Sequence, residues 1–200
     1  MKRFFGLFKK PDHVVVVSGL PRSGTSMMMK MLEVGGLSPL IDGEREADED
    51  NPKGYYEFER VKQLPKGDYG WLEDARGRVV KVISGLLVHL PPTHDYRVVF
   101  MRRAMPEILA SQRKMLVRRG ENPEQVSDEK LTALFQKHLT EAEEWMERRK
   151  RHIAVLYVSF NDLLQDAEPQ VERVVEFLGG KLDQKEMLRI IDPELYRQRA

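Results

Sequence analysis

The 200-residue chain contains no cysteine. This absence excludes a disulfide framework, a thiolate metal site and a cysteine nucleophile, and it is compatible with a reducing compartment. The 5 histidines show no mutual spacing that indicates a metal site. We therefore expect a cytoplasmic protein that needs no metal ion.

The chain also has almost no net charge, because 33 Lys and Arg residues nearly balance 32 Asp and Glu residues and leave a formal charge of +1. Such a balance does not indicate nucleic acid or an acidic polymer as a partner. We therefore expect no nucleic-acid partner, and any anion-binding site must be local.

No apolar run is long enough to span a membrane. Near the N-terminus, basic residues flank Phe4, Phe5, Leu7 and Phe8, but this stretch is too short for a secretory signal and lacks a cleavage site of small residues. It predicts an arm packed on the domain, with transient membrane contact as the alternative. We expect no stable membrane insertion and a single domain over residues 1–200.

The most informative stretch that is present covers residues 13–32, HVVVVSGLPRSGTSMMMKML. Four valines predict a buried strand, a short loop bounded by Gly19 and Gly24 follows, and a helix is expected to open near Thr25. The free amides and the dipole of a helix N-terminus favour anions. Strand, loop and helix therefore predict a site for phosphate or sulfate oxygens.

The spacing Gly19-x4-Gly24 matches the front of a P-loop, but Thr25 stands where the lysine is expected. The cation of this loop is instead Arg22, inside it. The loop resembles the 5′-phosphosulfate loop of the sulfotransferase family, and the Met-rich helix is most similar to the tyrosylprotein branch and its bacterial relatives. The residues that carry this resemblance are Pro21, Arg22, Ser23, Gly24, Thr25 and Ser26.

The rest of the chain alternates buried-type strands with helical patterns. Strands are predicted at residues 79–84, 96–101 and 153–158, and helices at 106–117, 123–151 and 169–178. This alternation predicts an α/β fold, a parallel sheet with helices on both faces, similar to P-loop nucleotide hydrolases. Residues 37–78 are expected to form an excursion on the substrate side, weakly helical over 59–75.

A second anion motif follows the third predicted strand. Arg103 and Ser111 lie across a strand-to-helix turn at the edge where ligands of parallel sheets bind. Their spacing resembles the sulfotransferase 3′-phosphate motif. Pro106 comes one residue later than in that motif, so Arg102 is the alternative ligand.

The resemblance extends over nearly the whole chain. Similar segments of bacterial sulfotransferase-like proteins match residues 51–57, 157–164, 177–179 and 193–197. The Gly-x-x-Gly-x-Trp-Lys stretch of the cytosolic small-molecule branch is absent from the sequence, which argues against that subgroup.

The resemblance implies sulfuryl transfer from 3′-phosphoadenosine 5′-phosphosulfate (PAPS) to a hydroxyl or amine acceptor, with Arg22 among the groups that stabilise charge. Lys81 either extends toward the sulfate or snorkels out of the sheet. The acceptor also needs a general base. Glu57 is the first candidate, Glu44 the second and His89 the third.

Two other functions remain open at this stage. One is a catalytically silent nucleotide-binding or partner-binding module, because a fold does not guarantee chemistry. The other is a P-loop kinase or NTPase, which the missing lysine disfavours. The sequence does not identify the acceptor, and the exposed face of the long helix is a candidate surface for a homodimer.

Overall fold

The computed structural model describes residues 12–43 and 56–191. In these residues four strands form one sheet in the order β2-β1-β3-β4, and every neighbouring pair is parallel. The predicted parallel α/β sheet is confirmed. The strands are β1 His13–Gly19, β2 Val79–Lys81, β3 Asp95–Arg102 and β4 Ile153–Ser159.

Helices connect these strands in chain order, and several are only one turn long. A 3-10 helix covers Glu59–Lys66. The α-helices are α1 Thr25–Val34, α2 Leu72–Ala75, α3 Ser84–Leu87, α4 Met105–Arg118, α5 Asp128–Arg148, α6 Phe160–Gln165, α7 Ala167–Phe177 and α8 Gln184–Arg189.

Helices cover both faces of the sheet, as predicted. Because side chains alternate along a strand, Val14 and Val16 of β1 face one core while Val15 and Val17 face the other. The first core contains Trp145 and Met146 of α5, and the second contains the methionines of α1 and the valines of α7. The sheet is therefore buried on both sides, and its carboxyl edge is where loops can form a site.

Two elements were predicted too long. β2 ends at Lys81 rather than residue 84, since α3 already begins at Ser84. The long helix α5 begins at Asp128 rather than residue 123, because the Ser127 side chain accepts a hydrogen bond from the amide of Lys130 and caps it.

The segment predicted as an excursion, residues 37–78, is described in part. Pro39 bridges to Val79 at the edge of the sheet, while residues 44–55 lie outside the described residues. Its second half packs against the sheet, because Leu64 and Trp71 are buried in the first core. The predicted arm at the N-terminus also lies outside the described residues. Within the described ranges, no helix is long and apolar enough to cross a membrane.

Candidate active site

The loop between β1 and α1, residues 19–26, is called the phosphate loop here. Arg22 has a backbone φ of 69° and Gly24 a φ of 94°, both in the left-handed region. At Gly24 a Cβ atom would lie 2.4 Å from the ring of Phe160. The position therefore requires glycine for its backbone conformation and for its space.

Ser23 closes the phosphate loop on itself. It is fully buried, and its Oγ donates to the carbonyl of Leu20 at 2.7 Å while its amide donates to the same oxygen at 3.2 Å. Gly24 is the N-cap residue of α1 and has no side chain that could bond the first amides. The N-terminus of α1 therefore has no side-chain cap from its N-cap residue, and the anion site expected there stays a prediction.

The predicted first and second anion motifs meet at the carboxyl edge of the sheet. The Nε of Arg22 donates to the Oγ of Ser111 at 2.9 Å, although 89 residues separate them. An Nη of Arg103 donates to the carbonyl of Arg22 at 3.0 Å. The fold therefore brings three residues of the predicted site, Arg22, Arg103 and Ser111, into contact through these bonds.

Arg103 contacts two side chains that sequence reasoning missed, and a third side chain bonds to one of these two. Its Nε donates to Glu107 at 2.8 Å, and Asn161 donates to the other oxygen of that carboxylate at 2.7 Å. Its guanidinium lies 4.4 Å from the centre of the Phe160 ring. The i,i+4 spacing of Arg103 and Glu107 was a usable signal, but nothing in the sequence linked α4 to α6.

Arg102 has different surroundings. It pairs with Glu143 of α5 at 2.6 Å and lies 4.1 Å over the ring of Tyr157. Its contacts therefore lie with α5 and β4, whereas those of Arg103 lie with the phosphate loop, α4 and α6. This contrast supports Arg103 over Arg102 as the predicted ligand of a 3′-phosphate.

Lys81 is the last residue of β2, and its side chain is only 8% exposed. Its Nζ lies 4.0 Å from an Oε of Glu57, and the other Oε of Glu57 lies 4.0 Å from Lys62. Lys81 therefore does not extend into solvent. The predicted cation and the first predicted base are neighbours.

The residues on either side of Glu57 are anchored. The Tyr56 hydroxyl donates to Glu33 of α1 at 2.6 Å, and the ring of Phe58 packs edge-on against Trp71. Burial, followed by the hydrogen bond to Glu33, raises the pKa of Tyr56 well above its usual range. Burial also raises the pKa of Glu33, but hydrogen bonds from Lys30 and Tyr56 outweigh it, so this pKa is lowered overall. At neutral pH this pair therefore holds the start of the segment against α1.

The remaining predicted site residues are less informative. Pro21 is exposed at the tip of the phosphate loop, and Thr25 and Ser26 begin α1. His89 lies in a turn after α3, where its amide donates to Leu86. Glu44 lies outside the described residues. No group of three or more His, Asp or Glu side chains in residues 12–43 and 56–191 could hold a metal ion.

Comparison with known proteins identifies the family. Residues 11–195 match the profile of the sulfotransferase domain. The chain belongs to the sulfotransferase family. This membership confirms the predicted family and, with it, the predicted activity of a PAPS-dependent sulfotransferase. No curated protein matches the chain in sequence. The finer prediction of the tyrosylprotein branch stays a prediction.

Solved structures show the same sulfotransferase fold. The sulfotransferase domain of the Synechococcus PCC 7002 olefin synthase has a TM-score of 0.54 at 17% identity, over 96% of this chain and 85% of that one. Mouse sulfotransferase SULT7A1, solved in complex with PAP, has a TM-score of 0.58 at 18% identity, over 92% of this chain and 65% of that one. A sulfotransferase domain of the curacin biosynthetic pathway has a TM-score of 0.52 at 12% identity, over 92% of this chain and 79% of that one. The predicted fold class, similar to P-loop nucleotide hydrolases, is thereby confirmed.

Proposed function

We propose that this sulfotransferase binds the 5′-phosphosulfate of PAPS on the phosphate loop and its 3′-phosphate beside Arg103 and Ser111. The observation that carries the proposal is the meeting of the two anion motifs. Arg22 donates to Ser111 at 2.9 Å, and Arg103 donates to the backbone of Arg22 at 3.0 Å. One ligand with two phosphate groups can therefore contact both motifs.

The chemistry of these residues fits such a ligand. Guanidinium groups and the amides of a helix N-terminus are strong donors to phosphate and sulfate oxygens. The absence of a side chain at Gly24 leaves the first amides of α1 accessible to the ligand. The ion pair to Glu107 supports Arg103 by fixing the orientation of its guanidinium.

The transfer needs a cation near the sulfate and a base near the acceptor. During transfer the acceptor oxygen bonds to sulfur, the bond from sulfur to the 5′-phosphate oxygen breaks, and negative charge develops on that oxygen. We infer that Arg22 and Lys81 stabilise this charge and that Glu57 accepts the proton of the acceptor. The Nζ of Lys81 and an Oε of Glu57 lie 4.0 Å apart, which supports the roles of these two residues as cation and base at one site.

The donor site is tested by calorimetric titration with adenosine 3′,5′-bisphosphate in EDTA, and separately with ADP and Mg²⁺. We expect the bisphosphate to bind without metal and ADP to bind weakly or not at all. Binding of ADP with Mg²⁺ alone would instead indicate a kinase or NTPase. Lack of any metal requirement in the EDTA titration would support the prediction that no metal ion is needed.

The role of Glu57 is tested by Glu57→Gln with Glu59→Gln as its matched control, since Glu59 pairs with Lys62 and lies two residues away. Radiolabelled PAPS is supplied with a mixture of alcohols, phenols and amines. We expect Glu57→Gln to bind the bisphosphate normally and to lose sulfuryl transfer, whereas Glu59→Gln retains both. A wild-type protein that binds the bisphosphate and transfers nothing would be a silent binding module.

A further inference from the structure

The carboxylate of Glu107 is buried beside the site and bonds to two side chains at once. Glu107 is 3% exposed and lies in the first turn of α4. One of its oxygens accepts from the Nε of Arg103 at 2.8 Å, and the other accepts from the side-chain amide of Asn161 at 2.7 Å. A buried carboxylate is costly unless donors satisfy its oxygens. The position of this carboxylate therefore depends on Asn161 as well as on Arg103.

The side-chain amide of Asn161 is held at both ends. Its oxygen accepts from the backbone amide of Ala104 at 3.1 Å, while its nitrogen donates to Glu107. Turning the amide over would set its NH2 group against a backbone N–H and its oxygen against a carboxylate oxygen, so both bonds would be lost. The two neighbours therefore fix the direction in which Asn161 points.

Asn161 reaches the turn between β3 and α4 from a distant part of the chain. It lies in α6, which follows β4, and 54 residues separate it from Glu107. The residue before it, Phe160, places its ring centre 4.4 Å from the guanidinium of Arg103. The start of α6 therefore contacts Arg103 through one residue and the carboxylate partner of Arg103 through the next.

Fixing Arg103 in this way has an energetic consequence for a ligand. A free arginine side chain samples many rotamers, and ordering it costs conformational entropy. A side chain that is already held when the ligand arrives loses less entropy on binding. The Nε of Arg103 is held by Glu107, and an Nη is held by the carbonyl of Arg22. The first of these two bonds is the one that Asn161 supports.

We propose that Asn161 is a positioning residue for the donor. It acts through Glu107 and through the backbone at Ala104, and it sets Arg103 in the orientation that receives the 3′-phosphate of PAPS. The inference rests on the proposed function, which places that phosphate beside Arg103. The effect of Asn161 on nucleotide binding passes through Arg103 and not through a contact of its own.

The test is a double-mutant cycle of Asn161→Ala and Arg103→Ala, measured by calorimetric titration with adenosine 3′,5′-bisphosphate. Asp162→Asn is the matched control, because Asp162 is the next residue of α6 and is exposed. Asn161→Asp is a second variant that keeps an oxygen for the amide of Ala104 but replaces the donor to Glu107 by a carboxylate oxygen. Urea unfolding shows that each variant is folded under the conditions of the titration.

We expect Asn161→Ala to weaken bisphosphate binding by roughly tenfold, because a hydrogen bond to a buried charged group is lost and Arg103 is no longer held. Asn161→Asp should weaken it at least as much, since two carboxylates would then face each other. Asp162→Asn should bind like the wild type. In the Arg103→Ala background, Asn161→Ala should change the affinity by less than about twofold, because the group that it positions is gone.

Each contrary result has its own meaning. If Asn161→Ala and Asn161→Asp bind the bisphosphate like the wild type, Asn161 does not position Arg103. If Asn161→Ala weakens binding equally with and without Arg103, it acts independently of Arg103, and the inference fails while the donor proposal stands. If the wild type binds no bisphosphate, or Arg103→Ala binds it normally, the proposed donor site itself fails, and this inference with it.

Discussion

The two adjacent arginines at the carboxyl end of β3 have different contacts, although their side chains are identical. Arg102 is the last residue of β3, whereas Arg103 lies just beyond it, before α4 begins. Arg102 meets Glu143 of α5, whereas Arg103 meets the backbone of Arg22. Only the second contact joins the strand end to the phosphate loop.

Alanine substitution of each arginine tests this difference. We expect Arg103→Ala to weaken binding of adenosine 3′,5′-bisphosphate by about 1.5–3 kcal/mol, the usual contribution of a hydrogen bond to a charged group. Ser111→Ala should cost only about 0.5–1.5 kcal/mol, because its hydroxyl is neutral. Arg102→Ala, the control, should bind the bisphosphate normally in the same calorimetric titration.

A reversed result, with normal binding by Arg103→Ala and weak binding by Arg102→Ala, would show that Arg102 and not Arg103 binds the 3′-phosphate. Arg103→Lys is a useful companion variant. It keeps the charge but cannot reproduce the planar set of donors that Arg103 offers to Glu107 and to the carbonyl of Arg22. We expect it to bind the bisphosphate with an affinity between those of the wild type and Arg103→Ala.

At the scale of elements, the phosphate loop depends on its close approach to α6. Gly24 and Gly36 flank the same helix, and both have left-handed φ values, 94° and 102°. Only at Gly24 does a Cβ atom meet a neighbour, the ring of Phe160, whereas nothing lies within 4 Å of a Cβ atom at Gly36. The two glycines therefore form a matched pair.

We expect Gly36→Ala to lower the free energy of unfolding by about 1–2 kcal/mol, the cost of a left-handed alanine, and to leave bisphosphate binding intact. Gly24→Ala should cost more and should also weaken bisphosphate binding, because the loop must move away from Phe160. Urea unfolding and calorimetric titration measure the two effects. Equal behaviour of the two variants would show that packing against Phe160 does not shape the loop.

The same elements show what the sequence could and could not predict. Strand β1, the phosphate loop and α1 followed from local patterns: four valines, two glycines and a Met-rich helix. Helices α3, α6 and α8 were missed because 4–6 residues span less than two helical turns, too few for an apolar pattern to repeat. The contact of Glu107 with Asn161 was out of reach, since 54 residues separate the two and no local pattern encodes their meeting.

For the whole molecule, the order of the strands decides where the site lies. The chain leaves β1 for β2 on one side of it and then crosses to β3 on the other. In open parallel sheets such a reversal leaves a crevice at the carboxyl edge, and ligands bind there. The phosphate loop after β1 and the arginine after β3 lie at this edge, so the topology brings the two predicted motifs together.

A histidine at the opposite edge of the sheet, where β1 begins, makes global stability depend on pH. His13 begins β1 there; burial and the positive charge of Arg97 lower its pKa from the ordinary value of 6.5, while Asp95 and Asp12 act in the opposite direction. A lowered pKa means that the unfolded chain binds the proton more tightly than the folded one. The contribution of His13 to stability is therefore fully present above pH 6.5 and is lost as pH falls through the folded pKa.

We expect the wild type to lose more free energy of unfolding than His13→Gln between pH 7.5 and pH 5.5, since glutamine does not titrate. Urea unfolding at the two pH values measures the difference, and nuclear magnetic resonance of the imidazole gives the pKa of His13 directly. Equal losses in the two proteins would mean that His13 is protonated as easily in the folded chain as in the unfolded one. In that case the acid sensitivity of the fold would have to come from its carboxylates, such as Glu33, whose lowered pKa acts in the same direction at lower pH.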